Sequence, residues 1–170
     1  MIVEASCELA VLLTRRTSSL RTRSSQRALP GGPLNAGESA EDAALRELRE
    51  KTKRSLPRDA IMARFYDSVA QLDYCITTDA LWSGEESDHL KPNPDEVASI
   101  HTVSFKVLAD PSATQLEAKP ESKRKVLSMK LNIDQIFAPT PAVLYQFREV
   151  VLMGKDTRVS HYDQPPFAWR

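Results

Sequence analysis

The chain has 170 residues, 41% of them apolar and 27% charged, with 23 basic and 23 acidic side chains. That length suits one domain with a core of its own, and the composition excludes a disordered or fibrous chain. Balanced charge removes any general attraction to nucleic acid or a membrane surface, and no apolar run approaches the ~18 residues that span a bilayer. Cys7 and Cys75 are too few for a disulfide framework, so a reducing, cytoplasmic home is expected.

The first strand expected lies within Glu8 to Arg16, where Leu9-Ala10-Val11-Leu12-Leu13 is apolar enough to be buried. Thr14 to Arg27 then carries five arginines and no acid. Glu4 and Glu8 ahead of it weigh against a transit peptide. A solvated basic loop fits this composition. Pro30-Gly31-Gly32 follows, a backbone able to turn sharply and come close to a ligand.

After a second turn signal at Asn35-Ala36-Gly37, Ala40, Ala43, Ala44 and Leu48 recur at helical spacing. On that helix Glu47 and Glu50 are three residues apart and share one side, with Arg46 beside them. Two carboxylates near a loop rich in backbone oxygens suit a hard divalent cation such as Mg²⁺. A solvated face with ion pairs along the helix produces the same pattern.

Pro57 stops the helix, because the residue before a proline disfavours the α region. Ile61 to Ala70 and Tyr74 to Trp82 read as paired strands under it. A polar loop leads to Asn93-Pro94-Asp95-Glu96-Val97 and a strand around Ile100 to Phe105. Asp110 to Lys125 reads as a long surface loop, and Val126 to Phe137 as strand. Thr140 is the expected N-cap of a last helix with Pro141 at its first position, an apolar stripe of Val143, Leu144, Phe147, Val150 and Val151, and Gly154 as its stop. Phe167 and Trp169 in the tail are expected to bury. His89, His101 and His161 lack metal-ligand spacing.

Gly32, five residues, Glu38, seven residues, Arg46-Glu47-Leu48, one residue and Glu50 together resemble the Nudix box, G-x5-E-x7-R-E-U-x-E-E-x-G-U with U apolar. The likeness ends there: Lys51 stands in place of a glutamate, Lys53 of a glycine and Arg54 of an apolar residue. A second stretch is similar to the signature of coenzyme A diphosphatases within that family. Leu12, Leu13, Thr14, Arg16, Thr17, Ser18, Ser19, Arg21, Pro30, Gly31 and Gly32 fit it, whereas Ser25, Arg27 and Leu29 depart from it. The Asn93 to Val97 run and the aromatic tail are also similar to segments of that branch.

The resemblance implies an α/β (α+β) fold, an α/β/α sandwich with a mixed β-sheet and the Nudix loop-helix on one face, as a single domain over residues 1–170. The first recognisable strand comes so early that an upstream strand expected of the family is open to question, as is a homodimer covering the edge it would leave. The implied reaction is hydrolysis of a nucleoside-linked diphosphate with Mg²⁺ or Mn²⁺. Glu47, Glu50 and the Gly32 carbonyl would hold the metal, Arg46 would orient the carboxylates, and Glu38 would be structural. Glu96 would be the further carboxylate. Arg16 and Arg21, with Gly31 and Gly32, would bind the phosphates. For the coenzyme A branch the products are phosphopantetheine and adenosine 3′,5′-bisphosphate.

Lys51 opposes that mechanism, since a protonated lysine cannot ligate a metal. Three readings stay open: a coenzyme A diphosphatase, a Nudix hydrolase of another nucleoside diphosphate compound, and a catalytically impaired Nudix-fold binding protein. Without glycine at position 53, a left-handed C-cap is costly, and the helix is expected to run on or fray toward Pro57.

Overall fold

The computed structural model describes residues 1–17, 27–69, 75–86, 90–118, 125–131, 134–137 and 139–162. Arg21, His89, Phe167 and Trp169 fall outside these residues. The chain divides into two compact units, residues 1–64 with 79–104, and residues 65–78 with 105–170. No helix among the described residues is long and apolar enough to cross a membrane.

The first unit is built on a mixed sheet, six-stranded among the described residues. Strand β1 (Ile2–Ala5) and β2 (Glu8–Arg16) form an antiparallel hairpin pairing Ala5 with Glu8. Its two-residue turn puts Ser6 and Cys7 at φ 51° and 63°, the twist that a tight hairpin needs and that asparagine and glycine usually supply. A strand thus lies upstream of Glu8. Strand β3 (Arg27–Ala28) shares the β1 edge of β2, pairing at Thr14 and Arg15, and β8 (Val97–Ser104) takes the other edge. Strand β7 (Asp79–Glu86) runs parallel to β1 and antiparallel to β4 (Ile61–Arg64).

Helix α1 (Ala40–Thr52) lies over this sheet. Ser39 caps it by accepting from the Asp42 amide at 3.1 Å, and Glu41 and Asp42 suit the positive end of its dipole. Leu48 packs with Met1, Val3, Ala10, Leu12 and Leu81, with Leu45 and Ile61 at the margin. Val3, Ala10 and Leu12 come from one sheet face because strand side chains alternate. Leu48 is 2% exposed, and burial of that order contributes about 2 kcal/mol.

The helix does not run on toward Pro57. It ends at Thr52, and Lys53 itself takes the left-handed conformation (φ 58°, ψ 14°), its amide donating to the Arg49 carbonyl at 2.9 Å. The turn geometry outweighs a penalty of about 1–2 kcal/mol for a residue with a Cβ in that region. Thr52 Oγ1 donates to the Leu48 carbonyl at 2.7 Å, and the amides of Lys91 and Asn93 reach the Thr52 and Lys51 carbonyls at 3.2 and 3.0 Å. Two orphan carbonyls of the last turn, those of Lys51 and Thr52, are thereby satisfied by a distant loop.

In the second unit β9 (Thr114–Ala118), β10 (Lys125–Leu131) and β11 (Asp134–Phe137) form an antiparallel meander. Thr114–Ala118, expected as loop, is its edge strand. Strands β5 (Ser68–Val69) and β6 (Cys75–Ile76) make a separate two-stranded sheet, so only Ile61–Arg64 and Asp79–Glu86 from the expected strand pair join the large sheet. Helix α2 (Phe105–Ala109) follows directly on β8. Helix α3 (Thr140–Phe147) is capped by Pro139 rather than Thr140 and has no side-chain cap. Val143, Leu144 and Phe147 are buried, and the helix widens into a π turn over Arg148–Leu152. That wider turn rotates Val151 out of the expected stripe, leaving it 48% exposed. Gly154 (φ 66°) lies at the stop.

Candidate functional site

The box-like residues of the first unit converge on Arg46. Its guanidinium donates from Nε to Glu38 Oε1 at 2.8 Å and from Nη2 to Glu38 Oε2 at 2.9 Å, a bidentate fork. Nη1 reaches Glu47 Oε1 at 2.8 Å and Glu50 Oε2 at 3.2 Å, and Nη2 also meets the Pro33 carbonyl at 2.9 Å. Helical spacing puts Arg46 and Glu50 one turn apart. Glu38, just ahead of the cap, also accepts from the Asn35 amide at 2.9 Å. One cation thus ties the glycine loop, the helix start and both expected metal-binding acids together.

The Arg46 hydrogen bonds, followed by the Asn35 amide, hold the Glu38 carboxyl down at about 2. A folded value below the unfolded one gives stability that is complete above about pH 4.5 and lost as the pH falls toward about 2. Glu38→Gln is therefore expected to melt below wild type near neutrality. It is also expected to lose less on acidification from about pH 5 to about pH 3, followed by circular dichroism.

Gly32 is where the loop touches the helix. A Cβ built there would fall 2.1 Å from Glu47 Oε1 and 2.4 Å from its Cδ, whereas at Gly31 it would meet nothing within 4 Å. Close approach is therefore required at Gly32 alone. The Glu47 side chain is 7% exposed, pressed against the loop backbone.

Lys51 completes the arrangement. Its Nζ donates to Glu47 Oε2 at 2.7 Å and to Glu96 Oε2 at 3.1 Å, with the side chain 17% exposed. Glu47 and Lys51 are an i, i+4 pair in the favoured order. Glu96 arrives through a turn, Asn93-Pro94-Asp95-Glu96, in which the Asn93 carbonyl accepts from the Glu96 amide at 3.1 Å. The flexible lysine stem points inward rather than away. Burial alone would lower the Lys51 ammonium and raise the Glu47 carboxyl. The pairing with Glu47 and Glu96 outweighs burial for the lysine, as Lys51 and Arg46 do for the glutamate. Lys51 is held above its ordinary value and Glu47 below its own, so both stay charged. Unit charges about 4 Å apart attract by about 4 kcal/mol at an effective dielectric near 20, with desolvation offsetting much of it.

Of the expected phosphate contacts, Arg16 stands exposed at the end of β2, opposite Val97 in the β8 register. The next amide, Thr17, donates to the Glu96 carbonyl at 3.1 Å, which brings the start of the basic segment to the Glu96 turn. Arg21 lies outside the described residues. Arg27 sits on β3 opposite Arg15. The contacts made by Thr17, Pro33 and Asn93 escaped sequence reading because they run through backbone groups, which side-chain identity does not reveal.

The sequence matches the NUDIX domain family over residues 2–128, three quarters of its length. The chain belongs to the Nudix family. The fold is similar to that of a Nudix hydrolase from M. smegmatis, RenU, with a TM-score of 0.58 at 21% identity over 92% of this chain and 84% of that one. A MutT/Nudix protein from Enterococcus faecalis matches with a TM-score of 0.50 and 21% identity over 85% of this chain, which spans 56% of that chain. No curated protein matches the sequence. Both structures support a mixed α+β Nudix fold.

Nudix hydrolases generally use divalent metals, and the acids of this Nudix chain are the donors that such an ion would meet. Glu47 Oε1 is taken by Arg46 and Oε2 by Lys51, while Glu50 Oε2 and Glu96 Oε2 are taken by the same two cations. Among the described residues there is no group of three or more His, Cys, Asp or Glu placed to hold a metal ion. An ion between Glu47 and Glu96 would have to enter where an ammonium already stands. As arranged, these residues do not fit a resident divalent cation.

Proposed function

We propose that this Nudix protein recognises a nucleoside-linked diphosphate, with coenzyme A and its derivatives as the leading ligands, and that its hydrolase activity is held down by Lys51. The observation that carries this reading is the Lys51 ammonium bridging Glu47 and Glu96. Arg16 and Arg21, with the open backbone at Gly31, are the proposed phosphate contacts, since arginine forks match phosphate oxygens. Arg46 is a positioning residue that holds Glu47 and Glu50, and Glu96 is the acid opposite them.

One observation favours a second reading, an active diphosphatase that works with Mg²⁺ or Mn²⁺ and releases phosphopantetheine and adenosine 3′,5′-bisphosphate. Glu38, Arg46, Glu47 and Glu50 are hydrogen-bonded as one assembly, complete apart from Lys51.

Calorimetric titration with coenzyme A, beside chromatography of coenzyme A incubated with either metal, separates the two. Binding is expected, with wild-type turnover at least about 100-fold below that of Lys51→Glu, which is about 2.7 kcal/mol in the barrier. Detectable wild-type turnover equal to that of the variant favours the second reading. Tighter binding of ADP-ribose than of coenzyme A removes coenzyme A as the ligand.

A further inference from the structure

We propose that Lys51 is a tethered cation standing in place of a divalent ion, so that this Nudix site is assembled without metal and opens to metal only when the lysine is removed. The proposal rests on the family's helix and not on the coenzyme A reading, and its test uses no substrate.

Four carboxylates gather here, Glu38, Glu47, Glu50 and Glu96, and two cations, Arg46 and Lys51, hold them. Arg46 joins the three acids near the glycine loop. Lys51 performs the other connection, from the helix to the Glu96 turn, a span of 45 residues in sequence. That is the bridging work a dication would do with two carboxylates from different elements. The lysine does it from a covalent tether, with no dependence on free metal. The loop around Glu96 is fixed independently by the Asn93 and Lys91 amides on the helix end and by Thr17 on its other side. The ammonium therefore meets a carboxylate delivered to it rather than one recruited from solvent.

An ammonium carries three donors, and Glu47 and Glu96 take two of them. The remaining N–H can address a phosphate oxygen, so anionic ligands are met by a fixed charge and not by a coordinated ion.

The test is calorimetric titration with Mn²⁺ alone, together with melting temperatures in chelator and in Mn²⁺. Four proteins are compared: wild type, Lys51→Glu, Lys51→Gln and Arg49→Glu. Arg49 is exposed on the same helix and controls for net charge. Lys51→Glu is expected to bind Mn²⁺ at least about 100-fold more tightly than wild type and to melt higher with Mn²⁺ than with chelator. Wild type and Arg49→Glu are expected to melt at the same temperature in both. Lys51→Gln, which keeps a polar side chain but not the charge, is expected to melt below wild type in chelator. Its Mn²⁺ affinity is expected to lie between the wild-type and Lys51→Glu values. Mn²⁺ affinity of wild type equal to that of either Lys51 variant overturns the proposal. So does a Lys51→Gln protein as stable as wild type in chelator, or an equal gain in affinity from Arg49→Glu.

Discussion

Arg46→Met is expected to destabilise the protein by about 2–3 kcal/mol, with the loss shrinking as salt is added. Methionine keeps the stem's apolar contacts and helix propensity, so the change isolates the guanidinium. Its removal takes away five hydrogen bonds, two to Glu38 and one each to Glu47, Glu50 and the Pro33 carbonyl. The carboxylates at positions 38, 47 and 50 are left to repel one another, and Glu47, 7% exposed, has Lys51 as its remaining cation. Removing one partner of such a cluster usually costs about 3–5 kcal/mol when it is fully buried. The lower figure applies because Arg46 is 19% exposed and Glu50 43%. Chemical denaturation at low and high salt measures both the size and the screening. A loss under about 0.5 kcal/mol, the range of ordinary surface changes, would show that the cluster holds nothing together.

What could be read from residues alone divides along physical lines. Arg46, Glu47 and Glu50 were legible as neighbours because a helix fixes directions at three- and four-residue spacing, whereas Gly32 and Glu38 were picked out by the resemblance to the Nudix box. The Glu47 to Lys51 spacing carried the same information, so the ion pair was legible in principle. That Glu96 would meet the same ammonium was not, because its approach depends on the Lys91 and Asn93 amides docking on the end of α1. Backbone docking leaves no side-chain signature. The β1–β2 turn was hidden because Ser6 and Cys7 take the place of the usual turn residues. Lys53 misled in the opposite direction, since a poor residue for the left-handed region adopts it when the Arg49 carbonyl and the chain path toward Pro57 demand it. The edge strand Thr114–Ala118 was lost in a polar stretch, its partner Val126 to Leu131 carrying the apolar signal. Local period is readable, and contacts between distant segments made by main-chain groups are not.

Gly32→Ala is expected to cost about 2 kcal/mol, within the range for overpacking a close contact. Gly31→Ala, one residue earlier, is expected to change stability by less than about 0.5 kcal/mol. The contrast follows from what each new methyl meets. At position 32 it lands 2.1 Å from a carboxylate oxygen, and at position 31 it enters open space. Glu47 could swing its carboxylate aside only by giving up Arg46 and Lys51, the two cations that hold it. The penalty is therefore one of broken ion pairs rather than of backbone strain, and it predicts a specific coupling. In a Glu47→Ala background the methyl at position 32 has room, so Gly32→Ala should then cost less than about 0.5 kcal/mol, leaving a coupling of about 1.5 kcal/mol in the double-mutant cycle. Urea denaturation of the four proteins measures it. Additive losses would place the cause in the loop's own conformation and sever the tie between the glycine loop and the acid it presses against.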